Sequence, residues 1–213
     1  PYSDFPVIRD ADGNPYAISK YVGQEMTNPL AYVQTKQGNF GWSDNFVGDV
    51  YAEVEPIKGL RFKSDLGAKL AFWGGESFSP VSYLNASSST AVNAYGKDKN
   101  NSFRWNFENT VAYSKKIADH DFTALLGVSA FVENSQGLGV TYRNLPVNNF
   151  YDASMNYATT AENKESYGWE SADHKVSSLF ARLTYNYKEK YLFTGIVRRD
   201  GSSRFGSNNK YGI

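Results

Sequence analysis

From Leu60 to Phe72 the chain alternates without a break. Even positions carry Leu60, Phe62, Ser64, Leu66, Ala68, Leu70 and Phe72, while odd positions carry Arg61, Lys63, Asp65, Gly67, Lys69 and Ala71. Side chains of a strand point alternately to opposite faces, so only an extended backbone keeps these two sets apart. A helix would mix them. The run is also long. A typical globular strand has about 5–6 residues, whereas a tilted strand crossing a bilayer needs about 9–11.

The same period recurs along the chain. Phe46, Gly48, Val50, Ala52 and Val54 alternate with Asp49, Tyr51, Glu53 and Glu55, and "PIKG" (56–59) joins that run to the next as a tight hairpin. Phe103, Trp105, Phe107, Val111 and Tyr113 form one face of a third run. A polar link, 114–121, leads to a fourth, with Phe122, Ala124, Leu126, Val128, Ala130 and Val132 on one face. A third pair runs from about Lys175 to Tyr187 and from Tyr191 to Arg199, joined by "KEK" (188–190).

The reading is therefore all-β, with about six antiparallel strands in three hairpins, 46–73, 102–133 and 175–199. The connections alternate in length. Short turns close each hairpin, and long loops fill 1–45, 74–101, 134–174 and 200–213. Short turns at one end and long loops at the other describe an up-and-down transmembrane barrel section, with turns in the periplasm and loops outside the cell. Tyr113, Phe122, Tyr185, Tyr187 and Tyr191 fall near the short turns. Phe72, Trp73, Phe103 and Trp105 fall near the long loops, as aromatic belts at two membrane interfaces would. A soluble antiparallel sandwich alternates in the same way, but strand length, loop asymmetry and belts together favour the barrel.

Composition narrows the function. Lys plus Arg and Asp plus Glu both number 22, which gives no global charge case for nucleic acid. No cysteine is present, so disulfide scaffolds, thiolate metal sites and cysteine nucleophiles are excluded. No catalytic constellation stands out. His120 and His174 lie far apart, and Ser lacks a G-x-S-x-G or S-x-x-K context. "DADGN" (10–14) fails as an EF-hand loop, because Pro15 and Tyr21 stand where Gly and Glu are required. The expectation is a protein that is no enzyme, with no catalytic or metal residues and no cofactor.

The stretch "VRRDGSSRFGSNNKYG" (197–212) resembles a signature of the SusC/RagA family of TonB-dependent outer-membrane transporters of Bacteroidota, with Ser207 where proline is common. "NPLA" (28–31), the hairpin "GDVYAEVEPIKGLRFKSDLGAKL" (48–70), "ALLGVSAF" (124–131) and "YNYKEKYLFTGIVRRDGSSRFG" (185–206) resemble the family in the same order. The resemblance implies a middle section of the barrel of a longer transporter, with the plug domain outside this chain. It also implies import of an oligomeric nutrient, glycan or peptide, in the outer membrane. The partners it implies are TonB, acting through another part of the protein, a SusD-like surface lipoprotein, and outer-membrane lipid. A non-transporting barrel, adhesive or structural, and a soluble β-sheet carbohydrate-binding module are the other classes open to such a sequence.

Two groups of residues are candidates for contact. Loop aromatics Phe78, Tyr83, Tyr95, Tyr142, Tyr151, Tyr167 and Trp169 could meet substrate or partner, or could build small cores for the loops. In the family motif, Arg198, Arg199, Asp200, Gly201, Arg204 and Gly206 suit a structural clasp, with Asp200 accepting from an arginine and the glycines permitting tight turns.

Overall fold

The computed structural model describes residues 26–85, 87–157, 160–206 and 208–213, together with the backbone of two short strands. These are β1 (Tyr2–Ser3) and β2 (Ile18–Ser19), paired in parallel. "DADGN" lies outside the described residues. Helix α1 (Pro29–Thr35) starts where the sequence tells it to. The Asn28 side chain caps it by accepting from the Leu30 amide, and Pro29 opens the first turn, where its missing N–H costs nothing.

The main sheet is antiparallel. Strands β3 (Phe40–Ile57) and β4 (Leu60–Ser79) are joined by a two-residue turn. A small hairpin follows, β5 (Ser82–Asn85) with β6 (Ser88–Thr90). Strands β7 (Ala94–Ile117) and β8 (His120–Arg143) form the second long hairpin. After β9 (Lys164–Glu170) come β10 (His174–Tyr187), β11 (Tyr191–Ser202) and β12 (Tyr211–Gly212). The spatial order is β12-β11-β10-β8-β7-β4-β3, and β9 pairs with β8 beside that path. Register is regular where β8 meets β10: Phe122 faces Tyr185, Leu126 faces Ala181 and Val128 faces Leu179.

The turns obey local rules. Gly59 has φ +88°, and a Cβ there would strike the Ser114 carbonyl oxygen, whose own amide donates to the Gly59 carbonyl at 2.8 Å. The Glu55 carboxylate accepts from the Gly59 amide at 2.7 Å. Lys188 and Glu189 of the "KEK" turn are both left-handed, at φ 54° and 55°. Neither has glycine's freedom there.

The strands run longer than the sequence patterns mark. β7 and β8 have 24 residues each, and β3 and β4 have 18 and 20, against runs of 9–14 read from alternation. The link expected over 114–121 shrinks to Ala118–Asp119, with strand on both sides. The loop expected over 74–101 contains the end of β4, all of β5 and β6, and the start of β7. That expected over 134–174 holds the end of β8 and all of β9. Strands therefore continue past Phe72, Trp73, Phe103 and Trp105 rather than ending there. The cause is compositional: "AYGKDKNNS" (94–102) is polar on both faces, so it carries no apolar period to read.

The chain divides into two compact units. One comprises Pro1–Ser43, Trp73–Asn100 and Gly137–Trp169; the other comprises Asp44–Phe72, Asn101–Gln136 and Glu170–Ile213. In the second unit the alternation has a direction opposite to that of a water-soluble sheet. On β8, Phe122, Ala124, Leu126 and Val128 are exposed, while Asp121, Thr123, Leu125 and Gly127 are covered. On β10, Leu179 and Leu183 are exposed, while Val176, Ser178 and Phe180 are covered. On β4, Phe62, Leu66, Leu70 and Phe72 are exposed, while Lys63, Asp65, Gly67 and Lys69 are half-buried or buried. A sheet in water turns its apolar side inward.

Candidate functional site

In the first unit the long connections make a core of their own. Phe78, 2% exposed, and Tyr95, 5% exposed, pack with Leu145. Tyr142, Val147, Phe150 and Met155 close around them. The Phe150 ring meets Tyr95 edge-on at 6.1 Å and lies over Gly38, where φ is +86° and a Cβ would collide with the ring. Phe78 and Tyr95 thus take the core-building one of the two roles open to the loop aromatics. Tyr142 is half-buried against the same core.

Three asparagines pin this unit by one device. Each grips both backbone groups of a distant residue, as a neighbouring strand would. Asn39 accepts from the Phe78 amide at 2.7 Å and donates to its carbonyl at 3.3 Å. Asn148 does the same to Val81, at 2.6 and 3.1 Å. Buried Asn93 accepts from the Leu145 amide at 2.7 Å and donates to the carbonyls of Leu145 and Val147. An amide has the donor and acceptor needed to replace a missing strand partner. Sequence reading missed these three because a loop asparagine carries no periodic signal.

Beyond Phe72, a charged cluster ties β4 to β7. The Tyr95 hydroxyl donates to the Glu76 carboxylate at 2.7 Å, and Lys97 Nζ lies 2.8 Å from its other oxygen and 5.3 Å from the Tyr95 ring centre. Lys97, and after it Tyr95, hold the Glu76 carboxyl below the usual carboxylate range. Burial first, and Glu76 second, push the Tyr95 phenol up.

Tyr167 and Trp169 take a structural position on β9. Tyr167 covers Gly139, and Trp169 covers Gly137 while its indole N–H donates to Asn100 at 3.1 Å. Glu165, two residues earlier on the same face, pairs with Arg143 at 2.9 Å. Large rings over two glycines of the facing strand lock the register of β9 on β8.

Tyr83 and Tyr151 are brought together. They line a cleft of about 320 Å³ formed by α1 and the turn after it, the stretch 78–84, and the loop 148–151. Tyr151 is 71% exposed. Of the expected loop contacts, these two present open ring surface to the same space.

The motif of the second unit is a knot of contacts. Arg198 Nε donates to both Asp200 oxygens, at 2.8 and 3.0 Å, while its Nη2 donates to Ser178 at 2.9 Å. Its guanidinium also lies 5.3 Å from the Phe180 ring centre, over the ring that fills the space above Gly127. Arg199 points to the other face, 4.2 Å from the Tyr211 ring centre. Gly201 and Gly206 do not have positive φ, so neither serves a left-handed turn. Gly201 instead makes room for the Tyr211 ring, and open space surrounds Gly206. The sequence reading missed Ser203, which donates to the Asp173 carbonyl at 3.0 Å and accepts from the Lys175 amide at 2.9 Å. Arg204 joins through its backbone amide, which donates to Ser202.

His120 stacks with Phe122 and Tyr185 and lies tilted against Tyr187, and its Nδ1 lies 2.8 Å from the Tyr185 hydroxyl. His174 approaches Glu133 at 3.9 Å. Among the described residues no group of three or more His, Cys, Asp or Glu is placed to hold a metal.

Known proteins share both the sequence and the sheet. TonB-dependent receptor P39 of Formosa agariphila is 33% identical over 215 residues, 97% of this chain and 19% of the receptor. TonB-dependent receptor P26 of the same organism is 29% identical over 96% of the chain and 20% of its own length. TonB-dependent receptor SusC of Bacteroides thetaiotaomicron is 28% identical over 87% of the chain and 17% of its own length. The chain is similar to one stretch of these TonB-dependent receptors, SusC among them. It spans about a fifth of the length of the Formosa receptors it matches. No family profile matches it.

The solved structure of the RagAB peptide transporter superposes on this SusC-like sheet with a TM-score of 0.78 and 20% identity, over 95% of this chain and 22% of that one. The RagAB peptide importer in its "open-open" state gives 0.76 and 20% over the same shares. That likeness shows the fold, and with the antiparallel topology it makes the chain an all-β section of barrel type. The relatives are receptors and transporters rather than enzymes.

Proposed function

We propose that this chain forms wall and surface loops of an outer-membrane importer. The importer takes up an oligomeric nutrient, glycan or peptide, with energy delivered through TonB at a part of the receptor outside these residues. The observation that carries the reading is the exposed apolar row of β4, β8 and β10, with a mixed face of polar and apolar side chains covered. Such a row finds its favourable surroundings in hydrocarbon. The SusC and RagAB likenesses support transport as the task of the whole receptor.

The spanning part comprises the alternating runs, Leu60–Phe72 on β4 and Phe122–Val132 on β8. The tyrosines near the short turns sit at the periplasmic interface, and the long connections lie outside the cell. A SusD-like lipoprotein covers the surface loops and delivers substrate to them. The Arg198–Asp200 knot holds the end of β11 in place and does not select substrate. No covalent chemistry is involved.

The test is a deletion strain of the source bacterium, assayed for uptake of labelled oligosaccharides and peptides. Loss of uptake of one class, restored by the intact gene and abolished again without TonB, is the expected result. Full-length protein recovered in the soluble fraction without detergent would sink the barrel itself. Unchanged uptake of every class would sink the transport role while leaving the barrel.

A further inference from the structure

The cleft of the first unit has chemistry of its own. Among the described residues fourteen line it, and none of these is Asp, Glu, Lys, Arg or His. In a chain that is 21% charged, that absence selects against a charged guest, which would find no counter-ion. On the α1 side the side-chain amides of Gln34 and Gln37 are exposed and make no hydrogen bond to a described residue. On the other sides Tyr83 and Tyr151 show open rings. The wall between them is fixed, because Asn148 holds Val81 by both backbone groups.

We propose that this cleft binds a short segment of an uncharged oligosaccharide. A primary amide both donates and accepts, which suits hydroxyl groups that do the same. A tyrosine face packs against the C–H face of a sugar ring, and its hydroxyl stays free for a further hydrogen bond. A volume of about 320 Å³ is at the small end of ligand pockets, about 300–1,000 Å³, and suits a few rings rather than a folded partner. The walls are tied before any guest arrives, so little ordering is lost on binding. This inference rests on the importer reading and sharpens it: the surface of the receptor sorts its nutrient by charge. Uronate-rich glycans and peptides with ionised ends are the guests it rejects.

The test uses the full-length receptor in detergent and in cells. Calorimetric titration with neutral malto-, xylo-, manno- and β-gluco-oligosaccharides is compared with oligogalacturonate, oligoalginate and a tripeptide mixture. Binding is expected from at least one neutral series and not from the acidic series or the peptides. Tyr151→Ala and the double variant Gln34→Ala/Gln37→Ala each weaken it roughly tenfold, about one hydrogen bond or ring contact in free energy. All three residues are exposed, so circular dichroism and thermal midpoint are expected to stay unchanged. Preference for acidic sugars or peptides, absence of any neutral binding, or full affinity in both variants overturns the proposal. Uptake separates the two claims. TonB-dependent import that both variants leave intact removes the cleft and keeps the importer. Neutral-sugar binding that both variants weaken, in a receptor that imports nothing, keeps the cleft and removes the importer.

Discussion

The two units of this chain solve opposite packing problems with the same backbone. In the unit of 44–72, 101–136 and 170–213, Leu66, Leu126, Leu179 and Leu183 stand exposed in rows while polar residues are covered. In the unit of 26–43, 73–100 and 137–169, Phe78, Tyr95 and Leu145 are buried and amides tie the loops. The first arrangement needs an apolar surrounding. The second has a small core of its own and backbone groups paired by side-chain amides. One chain thus carries two inside-out relations, and the change falls near Phe72, Asn101 and Gln136.

The largest test of that contrast is Phe78→Ala. Emptying the most buried side chain of the loop unit is expected to cost about 3–5 kcal/mol, read as lost hydrogen-exchange protection across 78–95 and 142–155. The hairpin turns at 58–59 and 188–190 are expected to keep theirs. An equal loss in both units would mean that they melt as one and that the contrast is only geometric.

Next comes Leu126→Arg, expected to destabilise the bilayer-inserted receptor by about 2–4 kcal/mol, as for a charge near the midplane. Thr123→Arg, on the covered polar face of the same strand, is expected to cost less. Reversible unfolding from lipid vesicles measures both, and a reversed order would mean that the exposed row faces water.

Asn93→Ala comes third. It leaves the Leu145 amide and the carbonyls of Leu145 and Val147 without their partner, at about 1–3 kcal/mol. Asparagine-to-alanine changes elsewhere on the surface are expected to do much less, as protease protection of the loop 144–163 would reveal.

The smallest effect is set by pH. The Glu76 carboxyl is held low when folded, so its stabilising contribution is complete above the ordinary Glu range, about 4.3. It is lost as the pH falls through the lower folded value. Glu76→Gln is expected to flatten that acid limb in loop-unit exchange rates and to leave the limb of the strand unit unchanged.

The hairpins were legible because a half-apolar strand writes its period into the sequence. The turns at Lys58–Gly59 and Lys188–Lys190 were legible from local residues, and the cap at Asn28–Pro29 is equally local. The start of β7 was not, since its polar stretch has no apolar period. The same limit hid the asparagine pins and Ser203, whose partners lie far along the chain. The candidate aromatics show the difference most directly. Phe78 and Tyr83 stand five residues apart and both border the cleft, yet Phe78 is packed into the core while Tyr83 is exposed.

The sequence by itself determined an all-β antiparallel chain, where its hairpins turn and which alternate face is apolar, because these depend on local geometry and residue type. Tertiary structure alone decided which face is exposed and how far the strands continue. It also brought 31–37, 78–84 and 148–151 together around one cleft. Those outcomes depend on hydrogen bonds and ring contacts between residues distant in the chain, and no local pattern encodes them.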